Sequence, residues 1–336
     1  MIYAIIFFVA FIISILVGLL LLPILRNRNL RQTIYELGPK THQKKQGTPT
    51  MGGLIFIIPI ILISIILLFI LDDKSNILLL SVSGGLFGLI GFVDDYIKIF
   101  KRRNLGLTEI QKIIFQVLSS IIICFLIYRN ADVSTSIYIP IIDTNIDLGY
   151  WFYPFIAFVF IAASNSANLL DGLDGLLISN SIVIYIFYGL VFVLAGLGII
   201  NSTLLSNCQE TNSIIMYILS SLGAFIGFAI FNKHPAKVFM GDIGSLYIGA
   251  VITMLSIMTN TLIVLPIIAL TLVISSLSVI IQRAYFKITK GKRIFKMSPL
   301  HYHFELSGYK ETKIVLGYTL IETILCLIVL LILIFV

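Results

Sequence analysis

The chain has 336 residues, of which 59% are hydrophobic and 12% charged, and its formal net charge is +7. This composition excludes an ordinary soluble globular domain, in which about 25% of the residues are charged. The sequence instead predicts an all-α integral membrane protein, with residues 1–336 forming a single polytopic membrane domain.

Ten apolar runs are candidate transmembrane helices, by the rule of about 20 apolar residues per span. In chain order they cover residues 2–25, 53–71, 77–97, 112–128, 151–164, 173–200, 213–231, 241–260, 262–283 and 314–336. The first run lacks a preceding basic region and is long for a signal peptide, which indicates an uncleaved span.

The basic residues predict the orientation of these spans. The loops after the odd-numbered runs contain 21 of the 23 lysines and arginines, and the other side contains Lys74 and Arg129. The positive-inside rule then places the odd-numbered loops in the cytoplasm and both termini outside.

Two polar segments predict small hairpins. Residues 136–150 predict an outer hairpin, which Pro140 limits to an edge. Residues 285–297 have alternating apolar positions around Lys290-Gly291, which predicts a short cytoplasmic hairpin.

Acidic residues occur where apolar runs meet the cytoplasmic loops. "GFVDDYIK" ends in Asp94, Asp95 and a following lysine, and "SNSANLLDGLDG" contains Asp171 and Asp174, whose spacing predicts a shared helix face. Asp242 opens the eighth run. Each acid has an ordinary explanation as an interfacial residue, a helix-dipole partner or an N-cap. Their concentration on one side of the membrane favours a common site.

Several carboxylates that converge repel one another unless a cation lies among them. Oxygen donors without a Cys/His cluster favour Mg²⁺ over zinc. The first cytoplasmic loop, "KKQGTPTMGG", offers backbone amides and Lys44, Lys45, Thr48 and Thr50 for a phosphate, although it lacks P-loop spacing. The residues therefore predict a cytosolic phosphate substrate bound at the membrane surface with a metal ion. His42 and His234 are interpreted as plain loop residues.

Three motifs occur in order along the chain. They are DDxxK at Asp94, Asp95 and Lys98, NxxNxxDGLDG from Asn165 to Gly175, and "PAKVFMGDIGSL" from Pro235 to Leu246. With these motifs the sequence resembles the phospho-N-acetylmuramoyl-pentapeptide transferase family, within the polyprenyl-phosphate N-acetylhexosamine-1-phosphate transferases. The resemblance runs from "KKQGTPTMGG" to "SPLHYHFELSGYKE".

The resemblance implies a Mg²⁺-dependent enzyme of peptidoglycan synthesis in the bacterial inner membrane, with its active site at the cytoplasmic face. The implied reaction transfers phospho-MurNAc-pentapeptide from UDP-MurNAc-pentapeptide to undecaprenyl phosphate, giving lipid I and UMP. Membrane lipid is an implied partner and nucleic acid is not, and the sequence leaves the oligomeric state open, a homodimer included.

By matching position, the resemblance implies catalytic roles for Asp94, Asp95, Asp242 and His301, and Asp242 and Asp171 as metal ligands. It implies substrate-binding roles for a further set, which comprises Lys45, Thr50, Lys98, Asn165, Asn168, Asp171, Asp174, Asn232, Phe239, Gln282, Tyr302 and His303. The family usually has three consecutive histidines where this chain has His301, Tyr302 and His303, so a role of the middle histidine cannot be transferred.

Two other functions compete with this reading. A sister enzyme would transfer GlcNAc-1-phosphate from UDP-GlcNAc to a polyprenyl phosphate, but those relatives usually carry an acid at the position of Lys98. A secondary transporter would place its acids near the membrane midplane, whereas here they occur at one boundary.

Overall fold

The computed structural model describes residues 1–27, 47–101, 106–130, 133–208 and 211–335. Its helices, in chain order, are α1 (Ile2–Asn27), α2 (Leu54–Ile70), α3 (Ser75–Phe100), α4 (Glu109–Arg129), α5 (Phe152–Leu170), α6 (Leu176–Gly196), α7 (Thr211–Asn232), α8 (Gly241–Met258), α9 (Leu265–Ile268), α10 (Leu270–Ile288), α11 (Leu300–Leu306) and α12 (Glu311–Phe335). The strands are β1 (Ser136–Ile139) and β2 (Thr144–Asp147).

Within these described ranges, nine helices are long and apolar enough to cross a membrane. The apolar helix α2 has 17 residues, which at 1.5 Å per residue is about 26 Å, slightly less than a hydrocarbon core of about 30 Å. The chain is therefore a multi-pass membrane protein, and the predicted all-α membrane class is confirmed.

Three predicted boundaries differ from the structure. The fifth span does not end at residue 164, because α5 continues to Leu170. The sixth begins at Leu176 and not at residue 173, because residues 171–175 form a turn that contains two glycines. The ninth is broken at Ala269 into the short α9 and the long α10, which extends to Ile288.

The predicted cytoplasmic hairpin at 285–297 is wrong. Helix α10 continues through its first residues, and turns and bends follow without strand pairing in this described segment. Lys290 and Gly291 both have positive φ angles, and the Gly291 amide donates to the Phe286 carbonyl at 2.9 Å. This is the arrangement that ends many helices at a glycine, so the pair caps α10 and does not turn a hairpin.

The hairpin predicted within residues 136–150 is confirmed, and its predicted outer location stays a prediction. Strands β1 and β2 are antiparallel, with Ser136 opposite Asp147 and Ile139 opposite Thr144. Pro140 begins the 3-10 turn that joins them, where its missing N–H costs no ladder hydrogen bond.

Helix α8 forms the centre of the bundle. Its residues Ile243–Met258 are all buried, and it packs against α3 and α5. Gly91 of α3 lies against the Asp242 backbone of α8, where a Cβ would overlap the Asp242 carbonyl oxygen. This close approach brings the polar end of α3 beside the start of α8.

Both ends of the described chain lie at the end of the bundle opposite to Asp94, Asp95 and Asp242. Tyr3 donates a hydrogen bond to Asn212 at 2.7 Å, at the start of α7, whereas Asn232 at the other end of α7 contacts the turn at Gly175. Helix α12 starts beside Asp174 and runs away from it.

Candidate active site

Three carboxylates from two helices meet at one end of the bundle. Asp94 and Asp95 belong to α3, and Asp242 is the second residue of α8. Their ligand oxygens lie within 4.8 Å of one another, and Asp94 and Asp95 are 1% and 2% exposed. Buried carboxylates at this spacing require positive charge nearby.

Two lysines supply that charge. Lys98 Nζ contacts all three acids, at 2.6 Å from Asp94, 3.1 Å from Asp242 and 3.5 Å from Asp95. Lys112 Nζ lies 2.5 Å from Asp242 and 3.6 Å from Asp94. With all five groups ionised, the centre keeps one net negative charge, which suits the binding of a further cation.

Lys98 was predicted from the sequence, but Lys112 was not singled out. The signal for Lys112 is local. Thr108 and Gln111 form a capping box that starts α4 at Glu109. A lysine in the first turn is opposed by the helix dipole, so its placement there indicates an anionic partner.

The glycine-rich segment and the residues before α8 pair through their backbones. Phe239 donates to Pro49, Gly52 donates to Phe239, and Gly53 donates to Met240, each at 2.8 Å. The Phe239 side chain is partly buried beside this pairing.

This pairing buries Thr50 beside Gly241. Gly241 has a φ angle of 77°, and a Cβ there would meet Asp95 Oδ2 and Thr50 Oγ1. Glycine is therefore required at the approach to Asp242. Lys45, Lys44 and His42 lie outside the described residues.

Two asparagines of α5 lie along the face next to α4 and α8. Asn165 exchanges hydrogen bonds with Gln116, at 2.9 and 3.3 Å. Asn168 donates to Ser245 Oγ at 3.0 Å, one turn beyond Asp242. Asn168 thus approaches the carboxylate centre, whereas the Asn165 amide is occupied within the bundle.

The prediction that Asp171 and Asp174 share a helix face is wrong, because both lie in the turn between α5 and α6. Burial, together with the charges of Asp242 and Asp95, raises the pKa of Asp171 well above its ordinary value. Among the described residues, the group of mutually close carboxylates has three members, and Asp171 is beside it without being one of them.

Asp174 belongs to a second cluster, with His234 and Glu311, which was not predicted from the sequence. Its Oδ2 lies 3.1 Å from His234 Nδ1 and accepts the Ala236 amide at 3.0 Å. Glu311, the first residue of α12, accepts the Asp174 amide at 2.6 Å and lies 3.1 Å from His234 Nδ1. His234 is therefore more than a plain loop residue.

Asn232 and Gln282 hold backbone segments in place. Asn232 accepts the Gly175 amide at 3.2 Å and donates to the Val238 carbonyl at 3.0 Å. Gln282 accepts the amides of residues 294 and 295 and donates to the carbonyl of residue 295. The side-chain amides of both residues are thus used by the protein itself.

The segment around His301 is the short helix α11. His301 is buried against Gly172, where a Cβ would overlap its Nε2. Tyr302 donates to the Gly172 carbonyl at 3.2 Å, and burial raises its pKa. His303 accepts the amide of residue 296 at 3.1 Å.

Taken together, the fold and this site define a multi-pass membrane protein with a carboxylate–lysine centre, bordered by glycine-rich turns, at one end of its helices. The model of glycosyl transferase family 4 matches residues 77–260, and a phospho-N-acetylmuramoyl-pentapeptide-transferase signature matches residues 45–57.

Curated relatives agree with both matches. Proteins named phospho-N-acetylmuramoyl-pentapeptide-transferase are 43% identical in Oceanobacillus iheyensis, 43% in Bacillus subtilis and 45% in Staphylococcus carnosus. The alignments cover 93%, 92% and 91% of this chain and 92%, 90% and 92% of those proteins, in the same order. The chain belongs to the phospho-N-acetylmuramoyl-pentapeptide transferase family.

Proposed function

We propose that the chain transfers phospho-MurNAc-pentapeptide from UDP-MurNAc-pentapeptide to undecaprenyl phosphate, producing lipid I and UMP. The observation that carries this proposal is the centre of Asp94, Asp95, Asp242, Lys98 and Lys112 at the ends of membrane helices. A site at a helix end is within reach of a lipid-anchored phosphate and of a water-soluble nucleotide sugar.

The proposed location is the bacterial cytoplasmic membrane, with this end of the bundle facing the cytoplasm. Exposed basic side chains support that orientation, since Lys101, Lys233, Lys237, Lys292 and Arg293 all lie in loops at the acidic end.

Mg²⁺ is the proposed cofactor, because the donors are carboxylate oxygens and the centre keeps a net negative charge. Asp242 would hold the ion, since its side chain is 13% exposed and that of Asp94 is 2% exposed. Asp171, beside it, is the second proposed ligand. When bound, the ion would neutralise the diphosphate and stabilise the leaving UMP.

In the proposed reaction, an oxygen of undecaprenyl phosphate attacks the phosphorus that carries MurNAc, and the bond from that phosphorus to the UMP oxygen breaks. A phosphate monoester has a second pKa of about 6, so the acceptor is mostly ionised at neutral pH and needs no strong base. Lys98 and Lys112 would reduce the repulsion between the two anionic substrates.

Asp94 is proposed to organise these lysines. Its Oδ1 accepts the Leu107 amide at 2.9 Å and its Oδ2 lies 2.6 Å from Lys98. A carboxylate held at both oxygens is poorly placed to become a phosphorylated intermediate, and this supports direct attack.

The test is UMP release by the purified protein with Mg²⁺, undecaprenyl phosphate and either UDP-MurNAc-pentapeptide or UDP-GlcNAc. We expect release with the first donor only. Release with UDP-GlcNAc alone would replace the proposed donor, and ion flux in liposomes without turnover of either donor would favour a transporter.

A further inference from the structure

The turn of residues 171–175, here called the DGLDG turn, is held by three side chains from distant parts of the chain. Tyr302 donates to the Gly172 carbonyl, Glu311 accepts the Asp174 amide, and Asn232 accepts the Gly175 amide. Two of these three come from the last 35 residues, although the turn lies at the middle of the sequence.

Glu311 makes the shortest of these contacts, at 2.6 Å, and its side chain is 9% exposed. It also lies 3.1 Å from His234 Nδ1, which is in turn 3.1 Å from Asp174 Oδ2. An ionised carboxylate oxygen can only accept a hydrogen bond, so hydrogen bonding of both carboxylates to this ring atom requires the tautomer with a proton on His234 Nδ1. Glu311 therefore restrains both the backbone of Asp174 and, through His234, its carboxylate.

We infer that Glu311 is a positioning residue for the nucleotide-sugar substrate, acting through His234 and the DGLDG turn. This inference rests on the proposed function, and it assigns the DGLDG turn, with Asp171 and Asp174, to the donor side of the site. Glu311 does not touch the carboxylate–lysine centre in the described contacts, so its loss should weaken donor binding and leave acceptor binding unchanged.

The chain contains a matched control. Glu109 is also the first residue of its helix and also interacts favourably with the dipole of that helix, but its side chain is 85% exposed and lies 3.7 Å from Arg283. Glu109→Ala removes an equivalent negative charge from the start of α4 and leaves the contacts of the DGLDG turn unchanged.

The experiment measures kcat and the KM of each substrate for Glu311→Ala, Glu311→Gln and Glu109→Ala. Loss of a hydrogen bond to a charged acceptor predicts that Glu311→Ala raises the KM for UDP-MurNAc-pentapeptide by about tenfold. The KM for undecaprenyl phosphate should stay within about twofold. Glu311→Gln retains an oxygen for the Asp174 amide but places an NH2 group toward His234, so it should recover part of the loss. Glu109→Ala should match the parent protein.

Equal changes in both KM values, or an effect of Glu109→Ala as large as that of Glu311→Ala, would overturn the inference. If Glu311→Ala does not fold, Glu311→Asp replaces it, because the shorter carboxylate keeps the charge but does not reach the Asp174 amide. The same rise in donor KM is then expected, and an unchanged donor KM refutes the inference.

Hydrogen exchange separates this inference from the proposed function. The amide of Asp174 should exchange about tenfold faster in Glu311→Ala than in the parent protein, whatever the substrate. A parent protein without UMP release would refute the proposed function alone, and unchanged exchange at residues 171–176 would refute the role of Glu311 alone.

Discussion

Lys112 Nζ lies 2.5 Å from Asp242 Oδ2, and this ion pair joins the first turns of α4 and α8. Helix α4 contributes the positive charge of this pair and α8 contributes the negative charge. Since Asp94 and Lys98 of α3 complete the arrangement, the position of Asp242 depends on side chains from two other helices, α3 and α4.

We predict that Lys112→Met lowers turnover by about 100-fold or more, because a preorganised cation that meets developing charge contributes about 3 kcal/mol or more. Lys112→Arg should retain part of the activity. Lys101→Met, which removes an exposed lysine just after α3, is the control and should leave turnover unchanged. Steady-state UMP release measures all three, and Lys112→Met within tenfold of the parent would contradict the prediction.

Asp242→Asn should reduce activity to about 1% or less at saturating Mg²⁺, because Asp242 is the proposed Mg²⁺ ligand and the variant would lose a metal-bound charge. The protein should still fold, because Lys98 and Lys112 then face two acids and the centre is balanced. Turnover across a Mg²⁺ titration, with thermal unfolding as the folding check, measures both expectations. Activity within tenfold of the parent would remove Asp242 from the metal site.

The predicted orientation can be tested by cysteine labelling. The native cysteines, Cys124, Cys208 and Cys326, are buried, so their background labelling should be low. An impermeant maleimide should label Asn145→Cys of the β1–β2 hairpin in intact cells, and should label Lys292→Cys after permeabilisation only. The reverse pattern would invert the topology.

Much of the fold was predictable because each membrane helix needs its own long apolar run, which is a local property of the sequence. The errors fall where local patterns are ambiguous. Lys290-Gly291 is typical of a hairpin turn and equally of a helix C-terminus, and in the structure it ends helix α10. The break at Ala269 has no glycine or proline at that position, so no local signal marks it.

The acids of the site were also predictable, because a carboxylate at the end of an apolar run is costly and therefore conspicuous. Their neighbours were not. Asp174 meets Glu311 across 137 positions of sequence, and this contact depends on how α12 packs beside α6. The partners of Gln282 and Asn232 are backbone groups, which every residue carries, so the sequence contains no mark of those contacts.

Glu322 is a buried carboxyl group inside α12, remote from the proposed site. Its Oε2 accepts the Thr271 amide at 3.1 Å, at the start of α10, where the break at Ala269 leaves amides without helical partners. We predict that Glu322→Gln keeps this hydrogen bond and most of the stability. Glu322→Leu should lower the free energy of unfolding by about 1–3 kcal/mol, because the buried amide loses its acceptor. Thermal unfolding in detergent compares the two, and equal stability of both variants would show that the amide finds another partner.

Tyr302 stands where the family usually has its middle histidine. Its hydroxyl donates to the Gly172 carbonyl, and its ring centroid lies 4.3 Å from that of His301. Because burial raises the pKa of Tyr302, its hydroxyl stays protonated. It can therefore donate a hydrogen bond, but we expect it to take no part in proton transfer during turnover. We therefore predict that Tyr302 shapes donor binding through the DGLDG turn.

Tyr302→Phe removes that hydrogen bond alone, and a net value of about 1 kcal/mol corresponds to a rise of about fivefold in the KM for UDP-MurNAc-pentapeptide. Tyr302→Ala also removes the ring beside His301 and should raise this KM further, whereas Tyr302→His should keep most turnover. His301→Ala should instead mainly lower kcat. Steady-state kinetics on the four variants measure these differences. An unchanged donor KM in Tyr302→Ala would mean that the ring only packs against the turn, and an unchanged kcat in His301→Ala would exclude that histidine from the reaction.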